Sequence, residues 1–119
     1  MQAGTFEYCN GIFPATVGTG LGIVTGTQRY NRMAFTISGL ASETVSIYIS
    51  YDYNAESATG TFGADPVGPM NLKTGVTVTV GTLGNGNFML VNTPWRAVKF
   101  TKSAGVDSTT VAWACLNAN

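Results

Sequence analysis

The chain reads as an all-β protein: an antiparallel β-sandwich, jelly-roll or immunoglobulin-like, of about seven or eight strands with an extended N-terminal arm. Three observations lead there. Apolar and polar residues alternate at period two, most cleanly where Val45, Ile47, Ile49 and Tyr51 form one face and Ser46, Tyr48, Ser50 and Asp52 the other. The alternating runs are separated by turn-forming clusters, including the Gly84–Asn87 run, Asn92 to Pro94 and Ser103 to Asp107. No stretch carries a helical period: a helix over 44–52 would place Val45 and Ile49 together and strand Ile47 on the far side.

Taken in order, residues 1–20 are rich in Gly and Thr with isolated Phe6, Tyr8, Ile12 and Phe13. They read as the arm, an irregular first strand or a segment that crosses to a neighbouring subunit, with the sandwich domain following over 21–119. Leu21–Thr25 is a short strand. Arg32–Ser38 is a better one, with Met33, Phe35 and Ile37 on one face and Gly39 closing it. Thr44–Asp52 is the clearest, and its β-branched content favours the extended chain. From Tyr53 to Asn71 the pattern dissolves into a long loop, broken at Thr61 and Phe62; loops of this length often carry function. Strand character returns over Leu72–Val80. The Gly84–Asn87 turn then joins it to Phe88–Val91 as a hairpin, which Pro94 ends. Trp95–Thr101 and Thr109–Leu116 are the last pair. The expected core is Val45, Ile47, Ile49, Val78, Leu90, Val98, Phe100, Val111 and Trp113.

Composition narrows the function. The chain has 119 residues, enough for one domain with its own core. Only 10% of residues are charged and the formal net charge is zero. Ser, Thr, Asn and Gly must then cover the exterior, and such a surface is poorly protected against association. Copies of the chain or a partner are expected to cover much of it. The basic residues Arg29, Arg32, Lys73, Arg96, Lys99 and Lys102 are scattered, not clustered as a nucleic-acid footprint requires. No apolar run approaches the roughly 20 residues of a membrane helix. No basic segment followed by an apolar one marks a secretion signal. Cys9 and Cys115 are therefore expected as buried thiols, although in an oxidising compartment they could close nearly the whole chain into a loop.

Catalytic patterns fail one by one. The chain contains no histidine, and no serine sits in a nucleophile elbow. Asp52, Glu56 and Asp65 surround the long loop but read as solvated charges rather than a paired acid and base. Asp52 opens an EF-hand-like run, but the glycine such a loop requires is replaced by Ser57 and its closing glutamate by Gly63. Gly18, Gly20 and Gly22 lack the strand-to-helix context of a dinucleotide fingerprint. Two distant cysteines make no zinc site. No enzyme activity, metal or cofactor is expected.

Aromatic residues, with Ile12 beside them, remain as candidate contacts: Phe6, Tyr8, Ile12 and Phe13 from the arm, Tyr48 on the polar face of the clearest strand, Tyr53 and Phe62 in the long loop, and Trp95 at the turn after Pro94. The stretch Val45–Asp52 with its Ser/Gly/Thr-rich loop, then Asn92–Thr101 with Thr109–Leu116, resembles small β-sandwich proteins of tailed-phage virions, with head-decoration (cement) proteins the nearest type. That resemblance spans about residues 40–116. It implies synthesis in the host bacterial cytoplasm and assembly onto the capsid exterior. It also implies a homo-oligomer, trimer or dimer, bound to the major capsid protein, with no nucleic acid or membrane involved. The arm and the 53–71 loop would make the lattice contacts, and removal of residues 1–15 would leave a folded domain. The alternative is a carbohydrate-binding module of a tail fibre or secreted enzyme, with Tyr48, Tyr53 and Trp95 as its stacking platform. A pilus or surface-layer domain would instead show an export signal and a Cys9–Cys115 disulfide.

Overall fold

The computed structural model describes residues 8–16, 18–63, 67–71, 83–91 and 96–116. Among them are eight strands: β1 (Tyr8–Thr16), β2 (Gly20–Thr25), β3 (Arg32–Ser38), β4 (Val45–Ser50), β5 (Met70–Asn71), β6 (Gly86–Val91), β7 (Ala97–Lys102) and β8 (Thr109–Leu116). They form a five-stranded sheet ordered β1-β8-β3-β6-β5 and a three-stranded sheet ordered β2-β7-β4. Every ladder between them is antiparallel. Through β4 the chain steps from one sheet to the other with each strand, as in a double-sheet jelly roll. The edge of β4 is covered by the long loop, where Gly63 N–H donates to Ile49 O at 3.0 Å and Val67 N–H to Ile47 O at 2.8 Å. The fold class expected from the sequence is therefore the one found.

Strand parity builds the core. On β3, Met33, Phe35 and Ile37 face inward; on β7, Val98 and Phe100 do; on β4, Val45 and Ile47; on β8, Val111 and Cys115. Phe100 is fully buried and joins the layers, its ring 5.1 Å from Phe35 and 6.0 Å from Phe13, both nearly edge to face. Each such side chain contributes about 1.5–3 kcal/mol by leaving water. Of the expected core, Val45, Ile47, Leu90, Val98, Phe100 and Val111 are buried, and Ile49 and Trp113 pack against them. Val78 lies outside the described residues, as does the strand expected over 72–80. Gly86 and Asn87, expected in a turn, belong to β6 and pair with Ile37 and Thr36.

Two strands are irregular for local causes. Residues 8–16, read within an arm or an irregular first strand over 1–20, pair with β8 as the edge strand of the larger sheet. Phe13 turns into the core there, its ring 6.2 Å from that of Trp113. Removal of residues 1–15 thus takes away a core aromatic and a strand rather than a free arm. Periodicity is poor in this strand because Gly11 occupies an inward position: a Cβ there would come within 2.5 Å of the Trp113 ring, which uses that space. The second irregularity is on β2, the strand expected over Leu21–Thr25, whose register passes from Gly20↔Thr101 to Gly22↔Phe100. Leu21 is the extra residue of this bulge, which lets Leu21 and Val24 both reach the core from a strand too irregular to alternate.

One end of the sandwich is closed by a polar knot. The Asp107 carboxylate accepts the backbone N–H groups of Ala41, Ser42 and Glu43 at 2.9, 3.1 and 3.1 Å. Reciprocally, the Glu43 carboxylate accepts those of Val106 and Asp107 at 2.9 and 2.6 Å. Lys102 continues the inward row of β7, buried, with its ammonium 3.5 Å from Glu43 Oε1 and donating to the Asp107 carbonyl. The β3–β4 and β7–β8 connections are thereby tied to each other. Removing one member of a buried pair strands the other charge, so Glu43→Ala is expected to cost about 3–5 kcal/mol. Urea unfolding should show this as a lower midpoint at unchanged slope; a change near zero would mean that water already serves Lys102.

The hydrogen bonds from Ala41, then Ser42, hold the Asp107 carboxyl below its ordinary pKa of 3.8. A depressed folded-state value stabilises the fold fully above the ordinary value, and that contribution is lost as pH falls through the folded one. The urea midpoint should therefore drop on acidification below about pH 4, and Asp107→Asn should flatten that drop.

Candidate functional site

The outer face of the three-stranded sheet is assembled from β2, β7, β4 and the loop after β4. Inward Val24, Val98 and Ile49 force the intervening residues outward, so Ile23, Lys99 and Tyr48 form one row across the three strands. The chain then turns at Asp52, whose Oδ1 accepts from Ser50 Oγ at 2.9 Å and from Thr61 N–H at 2.8 Å. The Thr61 bond, then the Ser50 bond, lowers the Asp52 pKa, so the carboxylate that ties the loop down is the charged form. Beyond it, Asn54 and Thr59 pair as a small hairpin. Asn54 Oδ1 accepts from the N–H groups of Glu56 and Ser57 at 2.9 and 3.3 Å, an Asx-turn that fixes the tip. Gly60 lies against Tyr53, where a Cβ would come within 2.7 Å of its backbone. The stretch read as irregular is thus held by its own side chains.

This turn returns Phe62 to the sheet opposite Ser50, on the same outer face as Tyr48. The Lys99 ammonium then sits 4.6 Å from the Phe62 ring centroid and 5.4 Å from that of Tyr48. Tyr53 packs on Phe62 at 5.7 Å. Two aromatic faces oriented on a cation contribute about 0.5–1 kcal/mol each at an accessible site. They also restrict a long side chain before any partner arrives. The structure therefore brings together three sequence candidates, Tyr48, Tyr53 and Phe62, and adds Lys99 and Ile23. The signal for Lys99 was its outward parity between Val98 and Phe100; that it meets Phe62, distant in sequence, follows only from the strand pairing and the loop's return.

The other candidates separate. Ile12 is 60% exposed on the opposite outer face, that of the larger sheet. Phe13, expected at an interface, is a core residue because its position on β1 opposite Val111 points it inward. Tyr8 stands in register with Leu116 on β1. Phe6 and Trp95 lie outside the described residues. Cys9 and Cys115, expected as buried thiols, occupy facing positions on β1 and β8, and Cys115 is buried.

Two concavities mark the surface. One is a shallow trough of about 530 Å³ on the larger sheet, floored by Ala34, Ala112 and Ala114 and bordered by Ile12 and Asn87. The other, about 340 Å³, lies where β2 ends and β7 begins, lined by Thr25, Gly26, Arg96 and the loop residues Tyr53 to Glu56. Among the described residues no three His, Cys, Asp or Glu side chains group to hold a metal ion. No helix among them is long and apolar enough to cross a membrane.

No protein-family model matches the chain, and no curated protein sequence matches it. Its fold is that of the SPBc2 prophage-derived protein YomS, with a TM-score of 0.70 at 13% identity over 94% of this chain and 95% of that one. It is likewise that of part of the PBSX exported protein XepA, with a TM-score of 0.71 at 10% identity over 98% of this chain. There the chain spans 39% of XepA's length. At these identities the likeness is one of fold, shared with proteins that prophages encode.

Proposed function

We propose that the chain is a non-enzymatic structural protein of a bacteriophage virion, which binds the outside of the capsid lattice and reinforces it as a homo-oligomer. The observation that carries this reading is the Tyr48–Lys99–Phe62 cluster, a preordered aromatic patch on an open sheet face. The fold shared with two phage-derived proteins supports it, as does the resemblance of residues 40–116 to cement proteins.

Aromatic side chains bury a large area at small entropic cost, and they dominate the energetics of protein interfaces. Here the row Ile23, Lys99, Tyr48 with Phe62 beside it gives a partly exposed aromatic surface suited to packing against a protein partner such as a capsid protein. A contact of this size is weak alone. An oligomer that engages several lattice sites multiplies it through effective concentration. The chain's zero formal charge means that long-range steering contributes little to the encounter, so short-range packing must supply the affinity.

The test is binding of the purified chain to heads of its own phage that lack it. Phe62→Ala and Tyr48→Ala should each weaken decoration about tenfold or more, as loss of an interface anchor does. Ile12→Ser on the opposite face should leave it intact. Raising salt from 0.05 to 0.5 M, roughly a threefold shorter screening length, should change affinity little. Size-exclusion with light scattering should give a trimer or dimer. Unchanged decoration by both aromatic variants would refute this placement of the contact.

A further inference from the structure

We infer that the recess at the open end of the three-stranded sheet is a binding site for a neutral saccharide; it shares Tyr53 with the aromatic cluster but does not rest on the lattice-binding reading. Its walls come from three elements. Thr25 and Gly26 end β2, Arg96 leads into β7, and Tyr53 to Glu56 begin the loop. The backbone makes this junction rigid: Gly26 N–H donates to Arg96 O at 3.0 Å and Arg96 N–H to Ser50 O at 2.7 Å. On the loop side, Asn54 Oδ1 holds the N–H of Glu56, and Gly60 backs Tyr53. The recess therefore keeps its shape without a ligand, as small-molecule sites usually do.

Its chemistry selects the ligand. The recess carries a carboxylate on Glu56, a guanidinium on Arg96, an amide on Asn54, a hydroxyl on Thr25 and an aromatic ring on Tyr53. Two opposite charges border one recess, yet the ion pair found among the described residues is Lys102–Glu43, at the other end of the sandwich. Glu56 and Arg96 are not spent on each other. Adjacent hydroxyls of a sugar ring donate to a carboxylate and accept from a guanidinium in the same plane, which uses both groups without adding net charge. The apolar C–H face of the ring is left to lie on Tyr53. A volume of about 340 Å³ is at the small end of ligand sites, the size of one or two sugar units rather than a long chain.

Saturation-transfer NMR on the intact chain tests this. The probes are millimolar glucose, galactose, N-acetylglucosamine and their dimers, with glycine as the zwitterionic competitor. At least one sugar should receive saturation at its ring protons. Its affinity should fall at least tenfold in Tyr53→Ala and in Arg96→Met, and remain unchanged in Ile12→Ser on the outer face of the other sheet. Tyr53→Phe keeps the ring and should retain most of the binding, which separates stacking from misfolding. No transfer to any sugar would overturn the inference. So would binding indifferent to Arg96→Met, or displacement by glycine at equal concentration, which would mark the recess as a zwitterion site.

Discussion

The structure depends on one contact between its layers, the meeting of Phe100 with Phe35 and Phe13. Phe100 lies on β7, the central strand of the smaller sheet, and its two partners lie on β3 and β1 of the larger one. Once this aromatic bridge sets β7 with Phe100 inward, parity leaves no choice for its neighbours. Lys99 must face out, and the register with β4 places Tyr48 beside it. A one-residue slip would reverse every face at once, exchanging a dry interior for a buried lysine. The exterior patch is thus a consequence of how the interior closes.

The two outer faces use that constraint differently. The larger sheet presents small residues, Ala34, Ala112 and Ala114, with Thr36 Oγ1 donating to Asn87 Oδ1 at 2.6 Å beside them. The smaller sheet presents rings and a cation. Of the few charges in the chain, several are tied to particular tasks in the fold: Glu43, Lys102 and Asp107 knot one end, Asp52 anchors the loop, and Lys99 sits between rings. What is left on the smaller sheet's outer face to recognise a protein partner is shape and aromatic area. A jelly roll hosts many activities, so the functional reading rests on these groups rather than on the fold.

Strands with one face in the core were legible from the residues. Arg32–Ser38 and Thr109–Leu116 were read with the bounds the structure shows. Val45–Ser50 was read slightly long because Tyr51 and Asp52 continue the alternation into a turn. Strands that accommodate a neighbour's bulk gave a weaker signal: β1 read as an arm or an irregular first strand, and β2 only as a short strand from Leu21. β1 places Gly11 where Trp113 needs room, and β2 inserts Leu21 and gives up a side chain at Gly22, where a Cβ would come within 2.6 Å of the Phe13 ring. Both lose the period-two signal for a reason that exists only in three dimensions. The candidate site divides likewise. Tyr48 was visible as an aromatic on a polar face, whereas the Phe62–Lys99 contact and the Glu56–Arg96 recess need the return path of the loop, which side-chain bonds from Asp52 and Asn54 determine.

The pairing of Tyr8 with Leu116 brings the beginning and the finish of the described chain side by side. The same adjacency makes the molecule topologically close to a ring: a short peptide could bridge the two positions, and new ends could be opened at the Ala55–Ala58 tip, whose residues face water, without breaking any ladder between the sheets' strands.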